Sequence, residues 1–314
     1  MSRTSLVTVA AVLFACLAIA GTAEAAKTTL YVHGYSPLSV VPVGNTYDDW
    51  SSWGTINKAG GVNRKAVNWG GQDFISQTNG YVRNALDCFC TGDNWCYIST
   101  HSTGDSQVGY ALSQYGNTLR NVKNTSTPGP NGVCQDVPNS SGRTTQTGWN
   151  IYWVTSAGGA GGGSELAGPG QIIFNNFITH QTVLEDLVPS HMRSLYDHNQ
   201  TQSHWFYRFA GSNGVFSFGA LPGEDDSVVA YHSAGGLSQS GHFCNNNPRW
   251  WDPTSWNCYE LKGGTEAAGN GVAKWSYQYL WFRDNAGEYY HPPVTASQDS
   301  LLSVLRSMMN AYAW

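Results

Sequence analysis

Charge is scarce in this chain. Only 12% of its 314 residues are Asp, Glu, Lys or Arg, 16 basic against 21 acidic, and no like-charge run is longer than three residues. The clustered basic face by which proteins hold nucleic acid is missing, which excludes a nucleic-acid partner. Long apolar runs are equally few. Beyond the first twenty-five or so residues no segment approaches the roughly 20 apolar residues of a membrane span, so no integral membrane association is expected. Metal-binding patterns are lacking too: there is no two-histidine helical motif and no carboxylate-rich loop, and Cys88-x-Cys90 has the wrong spacing for a structural zinc site. No metal and no other cofactor is expected. The Gly158 to Gly163 run lacks the Gly-Lys-Ser/Thr ending of a phosphate cradle and reads instead as a flexible loop near the rim of a site.

What is present is apolar and aromatic. Hydrophobic residues make up 41% of the chain and aromatic residues 13%, enough to bury a sizeable core. Residues 1–25 carry Arg3, an apolar stretch from Leu6 to Ala20 and the small-x-small ending Ala23-Glu24-Ala25, the pattern of a cleaved export signal. A lipoprotein reading of Cys16 competes weakly, because bulky Phe14 is atypical before such a cysteine. The expected product is a secreted protein, extracellular or periplasmic, with a single domain over residues 26–314. Its six remaining cysteines, Cys88, Cys90, Cys96, Cys134, Cys244 and Cys258, suit an oxidising compartment and up to three disulfides. Spacing leaves the pairing open, with Cys244–Cys258 the most plausible local pair.

Apolar spacing predicts strands at Thr28–Val32, Val62–Trp69 and Cys96–Thr100, with helical faces between Phe74 and Leu86 and from Val108 to Tyr115. Strand and helix in alternation is the pattern of an α/β fold with a parallel sheet. The polar stretch from Asn121 to Gly148 reads as a surface excursion. Further strands are expected at Ile151–Thr155, His204–Phe209 and Tyr277–Phe282, and a closing amphipathic helix from Asp299 to Tyr312.

Thr100-His101-Ser102-Thr103-Gly104 lies between a strand and a helix, where a small-x-Ser-x-small pentapeptide forms a sharp turn that exposes the serine hydroxyl. Small residues are expected at Thr100 and Gly104 because the two ends of the turn approach each other; Thr100 and Asp105 depart from the usual small residues. His33-Gly34 ends the first strand, which suggests the amides of Tyr35 and Thr103 as a pair of oxyanion donors. Through Tyr31-Val-His-Gly-Tyr35 and the turn at Ser102 the chain resembles the α/β-hydrolase superfamily, and within it secreted lipases and esterases. Ile151–Ser156, the Gly-Ser-x-Leu-Ala turn at Gly163–Ala167 and the segment from Glu185 to Leu195 extend the resemblance in the same order.

The resemblance implies an α/β-hydrolase fold, a mostly parallel sheet flanked by helices, and a Ser, acid, His order along the chain. A serine hydroxyl needs an imidazole to take its proton, and the imidazole needs a carboxylate. The stretch Glu224-Asp-Asp-Ser-Val-Val-Ala-Tyr-His-Ser-Ala234 resembles the lipase acid signature and implies Asp226, with Asp225 and Glu224 as neighbouring alternatives. His291, after the last strand and the turn at Asp284–Gly287, is the implied base. His242 is its rival, and His232 is expected to pack or hydrogen-bond in place. The function implied is hydrolysis of a small-molecule or lipid ester through an acyl-enzyme. An amidase or acyltransferase shares the same machinery. A different class, a secreted glycan-binding module, is suggested by the tryptophans at Trp50–Trp53 and Trp250–Trp256. A helical segment from Ile172 to Tyr196 is placed to act as a lid.

Overall fold

The computed structural model describes residues 26–36, 43–48, 50, 52–53, 60, 63–125, 127–168, 181–211, 221, 226, 228–235, 243–244, 259–260, 264–265, 275–283 and 301–314. In chain order the elements are β1 (Lys27–Val32), β2 (Asn63–Val67), α1 (Ile75–Phe89), β3 (Trp95–His101), α2 (Gly104–Tyr115), β4 (Leu119–Asn121), β5 (Thr145–Thr147) and β6 (Ile151–Ala157). There follow α3 (Val183–Asp186), α4 (Pro189–Leu195), β7 (Phe206–Gly211), α5 (Tyr231–Gly235), β8 (Phe243–Cys244), β9 (Tyr259–Glu260), β10 (Gly264–Thr265), β11 (Gln278–Arg283) and α6 (Leu301–Tyr312).

Seven strands form the main sheet in the order β10-β11-β7-β6-β3-β1-β2, parallel throughout except for the edge strand β10. This is the expected α/β-hydrolase architecture of a mostly parallel sheet flanked by helices. A parallel sheet is covered on both faces, so its strands are buried on both. Strand β1 shows this alternation directly. Leu30 and Val32 point into a core shared with Val82, Leu86, Val108 and Leu112 of α1 and α2. Tyr31 points the other way, into a core with Trp53 and with Leu305 and Met309 of α6. Trp53 is fully buried edge-on against Tyr31, so it belongs to the core and not to a glycan-stacking surface; Trp250–Trp256 lie outside the described residues.

The strand order creates one reversal. From β1 the chain steps outward to β2, then crosses back through α1 to β3 on the other side of β1. Connections leaving the carboxyl ends of β1 and β3 diverge, and the crevice between them is where open α/β sheets hold their ligands.

Helix α1 has no capping side chain at its own N-terminus. Its first amides are satisfied from a distant segment: Ile75 N–H donates to Asp186 Oδ2 at 2.7 Å and Phe74 N–H to Thr182 Oγ1 at 3.1 Å. Of the helical segment expected from Ile172 to Tyr196, the described residues form two short helices, α3 and α4, broken where Pro189 opens the second. The stretch from Asn121 to Gly148 is more ordered than its composition suggests. Strands β4 and β5 pair antiparallel at its base, and Cys134, buried, bonds to Cys88 of α1. A second disulfide joins Cys90 to Cys96, so the Cys-x-Cys pair serves two bridges. Cys258 lies outside the described residues. No described helix is long and apolar enough to cross a membrane.

His198 is buried with its ring 3.9 Å from that of Tyr196 and stacked on Trp275 at 4.0 Å; its Nε2 bonds the Met192 carbonyl at 3.1 Å. Burial pushes its pKa down to about 3, and the Met192 bond opposes this only in part. Because the folded value lies below the ordinary one near 6.5, this contribution to stability is intact above pH 6.5 and is lost as pH falls toward 3, at up to about 1.4 kcal/mol per pH unit. His198→Phe should keep the stack and flatten that acid limb, read from urea midpoints at pH 7, 5 and 4. The bridges make a separate prediction. Closing 46 residues, Cys88–Cys134 should stabilise by about 4 kcal/mol, and Cys90–Cys96, closing 6, by about 2 kcal/mol. Paired serine substitutions compared by urea unfolding test that ranking.

Candidate active site

Strand β3 ends at His101, and the chain must turn at once to start α2 at Gly104. Ser102 makes that turn with φ of 53°, the left-handed region that costs an L-residue on the order of 1–3 kcal/mol. Four described non-glycine residues have positive φ, and the other three, Gln202, Ser203 and Tyr277, sit in turns before the amino ends of β7 and β11. Ser102 alone occupies the carboxyl side of the sheet, at the reversal. The turn is fastened from below: Ser102 N–H donates to the Ala157 carbonyl at 3.1 Å, and the Ser102 carbonyl accepts from Asp105 and Ala160, each at 3.1 Å.

The glycines beside it are required by contact. A methyl on Gly34 would strike the Ser102 Cβ and lie 2.9 Å from both Ser102 Oγ and the His101 carbonyl. The strand-end loop of β1 therefore lies flush against the serine. Gly104 is small for a reason other than the one expected from the pentapeptide. A methyl there would meet the carbonyl oxygens of Val32 and His33 on β1, so it is the neighbouring strand, not Thr100, that demands glycine. His33 is buried, its ring stacked near Trp69, whose Nε1–H donates to the His33 carbonyl at 2.8 Å. This fixes the loop that carries Tyr35. Among the described residues no group accepts from the amide N–H of Tyr35 or of Thr103. Burial pushes the Tyr35 phenol up to about 12, so it stays protonated.

Asp226 follows β7 and is buried, 1% exposed. Its Oδ1 accepts from the amides of Val228 at 3.0 Å and Val229 at 2.7 Å, and its own N–H donates to the Val229 carbonyl. The turn is pinned to the loop after β6, where Ser164 Oγ–H donates to the Val228 carbonyl at 2.5 Å. His232 is buried in place, its Nε2 3.0 Å from Glu165 Oε1. Burial alone would raise the Glu165 carboxyl, but the His232 hydrogen bond and charge hold it below its usual range. Glu224, Asp225, His242, His291 and the proposed lid residues up to 180 all lie outside the described residues. The loop from Gly158 to Gly163 is not a rim: it is buried, with Gly159 and Gly161 close against the Asp105 carboxylate.

Asp105 is the residue whose importance the sequence concealed. It is fully buried at the first turn of α2, and both its oxygens accept from Arg208 of β7 at 3.1–3.2 Å. Burial pushes the Asp105 carboxyl above its ordinary range, and the Arg208 guanidinium opposes that shift. The only sequence signal was an acidic residue at a position where the turn usually has a small one.

No family model matches the chain, and no curated protein matches it by sequence. Among solved structures it is similar to a lipase from Bacillus licheniformis, at 15% identity and TM-score 0.44, over 72% of this chain and 46% of that one. A metagenomic carboxyl esterase matches at 15% identity and TM-score 0.37, over 68% of this chain and 60% of that one. Staphylococcus hyicus lipase matches at 8% and 0.46, over 91% and 94%. The chain thus spans between about half and three-fifths of the first two structures.

The Gly34 contact is testable. Gly34→Ala should displace the serine or its loop by the better part of an ångström and slow covalent capture of Ser102 by a fluorophosphonate about 100-fold, measured as a second-order rate by intact mass.

Proposed function

We propose that the protein is a secreted serine hydrolase of carboxylic esters, with Ser102 as nucleophile, His291 as base and Asp226 as the acid that orients the base. The observation that carries this reading is the strained Ser102 turn at the sheet's reversal, packed against Gly34 and flanked by the amides of Tyr35 and Thr103, from which no described residue accepts. A serine held in the left-handed region has its hydroxyl presented by the backbone rather than by a side-chain search, which lowers the entropic part of the barrier. As Ser102 Oγ attacks the ester carbonyl, its proton passes to the His291 imidazole, and negative charge collects on the former carbonyl oxygen. Amides already oriented toward that oxygen stabilise it with no reorganisation. The alcohol leaves with the proton from His291, and water then releases the acid from Ser102 by the same steps in reverse.

Asp226 suits the orienting role because it is buried and its Oδ1 is fixed by two backbone amides, so the carboxylate has one orientation to offer. The substrate proposed is an uncharged, partly apolar ester, including lipid esters, in keeping with the low charge of the chain. Export follows from the character of residues 1–25, and two disulfides accord with an oxidising compartment.

A fluorophosphonate should label the protein stoichiometrically at Ser102, and Ser102→Ala should lower kcat for an aryl ester by at least 1,000-fold with the fold intact by circular dichroism. Unchanged hydrolysis by Ser102→Ala would overturn the assignment.

A further inference from the structure

Behind the Ser102 turn runs a buried chain of polar groups that the proposed reaction does not use. Asp105, three residues past the serine, accepts from Arg208 Nε and Nη2. Arg208 Nη1–H donates to Gln278 Oε1 at 2.8 Å, and Gln278 Nε2–H donates to the Gly235 carbonyl at 2.7 Å. All four residues are buried, and the guanidinium lies 4.5 Å from the Phe206 ring centre and 5.2 Å from that of Trp275.

Each member stands on a different limb of the site. Asp105 opens α2, directly behind the nucleophile. Arg208 is on β7, the strand before the Asp226 turn. Gly235 ends α5, the helix that follows that turn. Gln278 begins β11, the strand after which the sequence places His291. Parallel strands alone set the spacing between strands, but they do not set the height of α2 or α5 above them. A bidentate guanidinium does, because its planar fork donates to a carboxylate in one plane and at one distance.

Stability is a poor explanation for the chain. A buried ion pair is expensive to desolvate, and apolar residues of similar volume commonly hold a core as well or better. We propose that Asp105, Arg208 and Gln278 are positioning residues, a buried hydrogen-bonded chain that sets the nucleophile, acid and base limbs at their working separation. The proposal rests on the hydrolase reading of Ser102.

Two variants separate positioning from support. Asp105→Leu combined with Arg208→Met removes both charges at once and leaves no unpaired ion. Gln278→Met removes the acceptor of Arg208 Nη1 and the link to Gly235 while leaving both members of the ion pair in place. Both are expected to keep a urea midpoint close to that of the unaltered protein, while kcat for an aryl ester and the rate of fluorophosphonate capture at Ser102 fall tenfold or more and KM stays within about twofold. Variants that react as fast as the unaltered protein would overturn the proposal and leave the hydrolase reading standing. Loss of rate matched by loss of folded protein in both variants would mark a structural role and overturn it as well. An unaltered protein that neither hydrolyses the ester nor takes the label would remove the hydrolase reading, and this proposal with it.

Discussion

The contact on which the site depends is between two backbones at the carboxyl edge of the sheet, where Gly34 of the β1 loop lies against Ser102 at the end of β3. The two strands pair in register, Val32 beside Thr100, so the residues that follow them emerge side by side. With no side chain at residue 34 the serine turns inside that narrow gap, and Gly104 lets α2 start against the carbonyl ends of β1. A positive φ at Ser102 persists because its neighbours over-determine it: three backbone hydrogen bonds to Ala157, Asp105 and Ala160 hold the residue in place.

Around that contact the molecule divides its labour by layer. Apolar side chains from alternate positions of each strand fill both faces of the sheet and supply the bulk of the folding free energy. Several buried polar groups lie where limbs of the proposed site meet. Asp105 and Arg208 tie α2 to β7, Ser164 ties the β6 loop to the Asp226 turn, and Glu165 with His232 ties the same loop to α5. Such groups are costly to bury and directional once satisfied, which suits geometry better than cohesion. The two described disulfides lie at the C-terminal end of α1 and the start of β3, where they hold the polar excursion.

The strand order gives chemical sense to the chain order. Reading outward from the reversal, β3 leads to Ser102 and β7 toward Asp226, and β11 runs parallel to both, so its carboxyl end lies on the same edge of the sheet. Adjacent parallel strands lie about 4.8 Å apart, so groups on loops from β3, β7 and β11 converge only if the loops lean toward the reversal. The loop after β6 fills the intervening space. Its glycines permit close approach to Asp105, which is why a run that reads as flexible in isolation is buried in the fold.

Much of this was legible in the residues. Alternating apolar spacing determined the parallel sheet and most element positions, because period 2 and period 3.6 are properties of the chain itself. The serine turn and the preceding His33-Gly34 were legible because their steric demands are local. Other features depend on residues far apart in sequence. The cap of α1 comes from Thr182 and Asp186, the small residue at 104 is demanded by β1, and Cys134 finds Cys88 across 46 positions. The partner of Asp105 lies 103 residues away on β7. A carboxylate in a turn reads as solvated until a guanidinium is brought to it. Local spacing determined where the chain turns at Ser102, and only the tertiary structure decided what lies behind it, since burial and ion pairing exist only once the strands have been ordered in the sheet.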